Sequence, residues 1–183
     1  MSDFADKSKT FALIMAGGKG TRFWPESTER KPKQYLNLLG EKSLLKQTID
    51  RLDGFAPSKN TFVVTVKDQE DLIKKNMDGK VPVQNIIFEP SGRNTAPCIL
   101  LSLAELLEKG ASPEDVVVIM PSDHVILNES GFRATLEKGT YQAIKHNAIT
   151  VIGIQPNFPH TGYGYIEKGE KKDAESCNLY EVS

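Results

Sequence analysis

Ala16-Gly17-Gly18-Lys19-Gly20-Thr21-Arg22-Phe23-Trp24-Pro25-Glu26, followed by Lys31-Pro32-Lys33-Gln34, is the stretch on which the reading of this chain turns. Immediately before it, Phe11-Ala12-Leu13-Ile14-Met15 is a short, nearly continuous apolar run, the pattern of a strand buried on both faces of a parallel sheet. A glycine-rich turn at the carboxyl end of such a strand stands where open α/β sheets bind ligands. Glycines there let backbone N–H groups approach phosphate oxygens with no Cβ in the way, while Arg22 and Lys33 supply counter-charge.

Two other glycine motifs are excluded by spacing. A Walker loop needs Ser or Thr directly after its Gly-Lys pair, and Gly18-Lys19 is followed by Gly20. A dinucleotide fingerprint that starts at Gly18-x-Gly20 needs glycine or alanine where Phe23 stands. Gly-Gly-x-Gly in isolation reads as a tight turn with incidental basic neighbours. The ordered Thr-Arg, Pro and Lys-Pro-Lys-Gln downstream turn that reading toward a nucleoside-triphosphate loop.

Outward from this loop, strands alternate with helices. Ser43 caps an expected helix through Leu44, Leu45, Thr48, Ile49 and Leu52 that ends near Gly54. Thr61 to Val66 is a β-branched strand, Asp68 caps a helix reaching Met77, and Asn85 to Phe88 is a third strand. Ile99 to Leu107 forms a helix, Asp115 to Met120 a fourth strand, Gly131 to Asn147 a helix and Ile149 to Ile154 a fifth strand. The alternation predicts a doubly wound, mostly parallel, Rossmann-like sheet. The glycine loop, Glu89 to Pro97, Pro121 to His124 and Gln155 to Tyr165 then each follow a strand and share one edge.

Asp123 stands at a strand end beside the phosphate loop, where a carboxylate can hold a magnesium ion or simply cap the turn into Val125-Ile126-Leu127. Lys33 reads as a phosphate ligand or as a solvated lysine beside Arg30 and Lys31, and Arg93 as a pocket residue or a surface charge. Gly162-Tyr163-Gly164-Tyr165 by itself suits a hairpin entry.

The loop and the Lys-Pro-Lys-Gln run resemble those of the sugar-1-phosphate nucleotidylyltransferases, and Trp24 and Gln34 are similar to the mannose-1-phosphate guanylyltransferase branch. Phe88-Glu89-Pro90-Ser91-Gly92-Arg93-Asn94-Thr95-Ala96-Pro97, Met120-Pro121-Ser122-Asp123-His124 and Thr161-Gly162-Tyr163-Gly164-Tyr165-Ile166 resemble three later elements of that branch, in its order. The resemblance implies GTP and mannose 1-phosphate as substrates. Ala16, Gly17, Gly18, Gly20, Thr21 and Arg22, with Arg93 and Asn94, would bind nucleotide; Asp123 would hold Mg²⁺; Tyr163 and Gly164 would wall the sugar.

In that scheme Arg22 forks onto the triphosphate and stabilises departing pyrophosphate, while Lys33 bridges the α-phosphate and the incoming sugar phosphate. His124 reads as a structural hydrogen-bonding group, since the attacking phosphate oxygen carries no proton to remove at neutral pH. No physical step from the sequence selects the base.

Residues 1–183 are expected to form one domain, with 1–9 flexible, equivalent to the amino-terminal portion of the family's catalytic domain. The family's Glu-Lys-Pro and Asn-Ser-Gly elements and second metal-binding aspartate do not occur before Ser183. A homodimer or a completing carboxyl-terminal segment is therefore an expected partner, and the alternatives are a catalytically incomplete GTP-binding remnant or a nucleotidylyltransferase for another sugar phosphate.

The 23 Lys and Arg nearly balance 24 Asp and Glu, which gives no footprint for nucleic acid or a membrane surface. Cys98 and Cys177 have no zinc or disulfide spacing, and Cys98 sits in an apolar run expected to be core. The amino terminus lacks a signal-peptide core, so the expected location is the cytoplasm.

Overall fold

The structure is a computed structural model and describes residues 9–18, 24–38, 40–172 and 177–182. Lys19, Gly20, Thr21, Arg22 and Phe23 of the glycine loop lie outside the described residues, as does most of the amino-terminal 1–9 segment.

Four parallel strands make the central sheet: β1 (Thr10–Met15), β2 (Thr61–Val66), β3 (Ile86–Glu89) and β4 (Val116–Pro121), in the order β3-β2-β1-β4. Four helices lie between and after them: α1 (Leu44–Arg51), α2 (Glu70–Met77), α3 (Thr95–Glu108) and α4 (Glu129–His146). Alternation along β1 separates two cores. Ala12 and Ile14 face a cluster with Leu45, Ile49, Ile73, Met77 and Leu136 from α1, α2 and α4, whereas Leu13 faces Cys98 and Leu106 from α3. Helices therefore cover both faces, which is why the strands read as continuous apolar runs. The chain steps from β1 through β2 to β3 on one side, then crosses on the α3 face to β4 on the other. That reversal creates a switch point between the carboxyl ends of β1 and β4.

Several boundaries move. Ser43 caps α1 as expected, its side chain accepting from the Lys46 N–H at 3.2 Å. Asp68 does not start α2; a short 3-10 turn over Lys67–Gln69 comes first and Gln69 takes the cap position. α3 begins at Thr95 rather than Ile99, because Thr95, Ala96 and Pro97 suit a first turn in which N–H groups need no helical partner. α4 starts at Glu129, capped by Asn128, whose side chain accepts from the Gly131 N–H at 2.9 Å.

The fifth strand does not form. Residues 149–154 carry no strand pairing, and Ile149 and Ile154 are 97% and 80% exposed. A strand exists only where its backbone groups find a ladder. β4 ends the sheet, and this segment instead lies near α4, where a Cβ placed on Gly139 would meet Ile152 at 3.7 Å. Beyond it, β5 (Lys168–Lys172) and β6 (Leu179–Val182) pair as an antiparallel ribbon that the sequence reading did not foresee. Among the described residues no helix is long and apolar enough to cross a membrane.

Candidate functional site

At the switch point β1 runs straight into the glycine loop. The Ala16 N–H still donates to Val64 O at 2.8 Å, and the Ala16 carbonyl accepts from Gln34 Nε2 at 2.7 Å and Thr65 Oγ1 at 3.2 Å. Gln34 Nε2 also reaches Gly18 O at 2.9 Å and Gln69 Oε1 at 3.1 Å. One buried amide thus fastens the loop to the residue after Lys33. Turning the Ala16 carbonyl onto Gln34 points the Gly17 N–H of the same trans peptide the opposite way, leaving it outside this staple. Tyr35 OH donates to Gln69 Oε1 at 3.1 Å, and burial pushes its phenol up to about 12, so it stays a neutral donor.

Lys33 starts a 3-10 turn after Pro32, and its Nζ lies 3.3 Å from Asp123 Oδ2 beyond the end of β4. Two residues drawn from different loops thus meet across the switch point. The Ser122 N–H continues the β1 ladder by donating to Met15 O at 3.0 Å, which sets Asp123 one residue past the sheet. His124 contributes its backbone oxygen, which accepts from Arg51 Nη2 at 3.3 Å.

Glu89 is the residue whose role the sequence reading passed over. It ends β3 and is only 6% exposed, and a Cβ on Gly17 would stand 2.9 Å from its Oε2. Burial pushes its carboxyl pKa upward, opposed by a hydrogen bond from the Cys98 thiol, and no cation among the described residues pairs with it. The available signal was a carboxylate directly after the apolar run Ile86-Ile87-Phe88. Cys98 is core, as expected, and burial with the nearby Glu89 charge raises its thiol to about 11.

Arg93 and Asn94 follow β3 on the same edge and are exposed. Arg93 Nε donates to Ser91 Oγ at 3.4 Å, and Asn94 takes φ 66° at the start of α3 without a side-chain cap bond. Tyr163 and Gly164 are not carried there by a strand, because the fifth strand is missing. Their turn is held to itself: Gly162 N–H donates to His160 Nδ1 at 3.0 Å, Tyr165 OH bonds the His160 backbone, and Tyr163, 70% exposed, lies 4.7 Å from the His160 ring.

No group of three or more His, Cys, Asp or Glu that could hold a metal occurs among the described residues. Asp123 itself offers one carboxylate to a cation. It fits a magnesium ion that keeps its waters and takes its remaining ligands from substrate phosphate, and it does not fit an all-protein cage.

Two curated proteins are each 39% identical to this chain. They are mannose-1-phosphate guanylyltransferase 2 of Escherichia coli O157:H7, over 87% of the chain and 33% of that protein, and mannose-1-phosphate guanylyltransferase of Escherichia coli K12, over 90% and 34%. The chain thus spans about a third of these relatives' length. A Thermus thermophilus crystal structure described as a mannose-1-phosphate geranyltransferase superposes with a TM-score of 0.79 at 33% identity, covering 96% of this chain and 49% of that one. A 4-diphosphocytidyl-2C-methyl-D-erythritol synthase shares the fold at 19% identity and a TM-score of 0.51. The Nucleotidyl transferase model matches residues 11–178, nearly the whole chain, and this chain belongs to the nucleotidyl transferase family.

Proposed function

We propose that this chain is the nucleotide-binding part of a cytoplasmic enzyme that transfers GMP from GTP to mannose 1-phosphate. A phosphate oxygen of the sugar phosphate attacks the α-phosphorus. The new P–O bond forms as the bond to the α,β-bridging oxygen breaks, and pyrophosphate leaves with that electron pair. The observation that carries the reading is the Lys33 Nζ to Asp123 Oδ2 approach of 3.3 Å beside the Ala16–Gly18 backbone. This pair would set a cation and a metal-competent carboxylate beside the two anionic phosphates that the reaction must bring together. Asp123 would hold Mg²⁺, which when bound lowers the repulsion between those phosphates. Arg22 would fork onto the triphosphate and Lys33 would bridge the two reacting phosphates, with Gly17, Gly18, Gly20 and Thr21 lining the cradle and Arg93 and Asn94 reaching the nucleoside.

Glu89 would contribute to base choice. Guanine presents two adjacent donors, N1–H and the 2-amino group, and an ionised carboxylate accepts both, whereas uracil and thymine offer one such donor. Glu89 lies close beneath Gly17, where an added Cβ would stand 2.9 Å from its Oε2. Tyr163 and Gly164 would join the sugar pocket once a completing segment or a second copy fixes their turn.

Calorimetry of the chain with Mg²⁺ and each of GTP, ATP, UTP and dTTP, alongside pyrophosphate release with mannose 1-phosphate, tests this reading. GTP-selective binding that Asp123→Ala weakens is the expected result. Equal affinity for all four triphosphates, or none, overturns it.

A further inference from the structure

We propose that Arg51 is a positioning residue: from the last turn of α1 it holds the His124–Val125 peptide just past Asp123, and so helps keep that carboxylate opposite Lys33. Arg51 is only 2% exposed. Its Nη2 donates to His124 O at 3.3 Å, its Nη1 to Thr48 Oγ1 at 3.4 Å, and its Nε is buried without a hydrogen bond. The guanidinium carbon lies 5.7 Å from the centre of the Phe132 ring.

Among the described residues no carboxylate touches this cation. The nearby Glu129 is engaged at 3.6 Å by Arg133, which itself donates to Arg51 O at 3.2 Å. A buried guanidinium with an orphan donor and no paired acid is costly, and a methionine would fill the same space without that cost. Packing therefore does not account for an arginine here. Its strongest available service is to the loop after β4. The Ser122 N–H before Asp123 is tied to Met15 O, and the Thr48 hydroxyl that accepts from Arg51 lies 3.4 Å from Ser122 O. The carbonyl after Asp123 is tied to Arg51 itself. Asp123 thus lies between two held neighbours, Ser122 tied to β1 and His124 tied to α1, with its side chain turned toward Lys33. The importance of this bracket for nucleotide transfer rests on the function proposed above; the bracket itself does not.

The test is zero-length carbodiimide coupling of Lys33 to Asp123, read as the yield of the linked peptide by mass spectrometry, together with Mn²⁺ binding in the presence of GTP. Arg51→Met is expected to lower the linkage several-fold and Mn²⁺ affinity about tenfold, as loss of a charge-assisted hydrogen bond implies. Arg51→Lys, which keeps a donor and the charge, is expected to recover part of both. Ile49→Val, a buried change on the same helix, should leave both at the parent value. Wild-type linkage in Arg51→Met, or an equal loss in Ile49→Val, overturns the proposal. If Arg51→Met does not fold, the shorter and uncharged Arg51→Gln takes its place, and parent-level linkage with no loss of Mn²⁺ affinity in that variant overturns the proposal equally. If the unaltered chain binds no Mn²⁺ with GTP, the proposed function fails while the linkage comparison still decides the role of Arg51.

Discussion

Lys33, from the loop after β1, and Asp123, from the residue beyond Ser122 at the end of β4, form an ion pair at 3.3 Å with side chains 22% and 39% exposed. A pair so open to solvent contributes only about 0–1 kcal/mol to stability. Its significance is therefore electrostatic and local to the site. Lys33→Met and Asp123→Ala should each shift the unfolding free energy by no more than about 1 kcal/mol in a denaturant titration. GTP binding in Mg²⁺ should nevertheless fall by about tenfold or more. A large stability loss with affinity retained would make this pair a structural contact instead.

The two N–H groups of the Gln34 amide are shared among three acceptors at the foot of the glycine loop. Gln34→Leu leaves those oxygens short of a donor and should cost about 1–3 kcal/mol. Gln34→Glu should cost more at neutral pH than Gln34→Leu, since an ionised carboxylate would face the Ala16 and Gly18 carbonyls and Gln69 Oε1. The order of the two chemical-denaturation midpoints checks this.

Gly17 and Glu89 form a coupled pair. Gly17→Ala would press a methyl group onto Glu89 Oε2 at 2.9 Å and should cost about 1–3 kcal/mol as overpacking. Adding Glu89→Ala should make that methyl group harmless, so the double-mutant cycle should return a favourable interaction term. Additive losses would mean that the Glu89 side chain swings away freely.

The same glutamate sets a pH dependence. Burial raises its folded pKa above the ordinary 4.5, so the folded state holds this proton more tightly than the unfolded one. Its contribution to stability is complete below about 4.5 and is lost as pH rises through the elevated folded value. Glu89→Gln should flatten that part of the stability–pH curve, measured as thermal midpoints, and should reduce the preference for GTP over UTP. An unchanged pH profile would show that Glu89 does not titrate anomalously.

Ile149 and Ile154 are open to solvent although they sit in an apolar, β-branched run. Ile149→Ser and Ile154→Ser should therefore change the stability of this chain by less than about 0.5 kcal/mol, against about 2–5 kcal/mol for truncation of a true core isoleucine. Loss on the larger scale, read by denaturant unfolding, would mean that this segment pairs as a strand in solution.

The sequence determined the parallel α/β class, the first four strands, the α1 cap and the edge where the loops gather. Each of these is written in short-range terms. A run such as Phe11 to Met15 declares burial on both faces, Ser43 satisfies N–H groups within its own turn, and Asp123 and Lys33 inherit their places from the strand ends they follow. Family resemblance singled out Gln34 but gave it no task, and the residues between Gly18 and Trp24 lie outside the described structure. Tertiary structure alone decided that Gln34 staples the loop, that Glu89 lies beneath Gly17, that Arg51 holds the carbonyl after Asp123, and that residues 149–154 form no strand. Helical periods and caps are properties of neighbouring residues. A hydrogen-bond ladder, a close backbone approach or a buried donor needs a partner from elsewhere in the chain, and residues 149–154 make no ladder with β4.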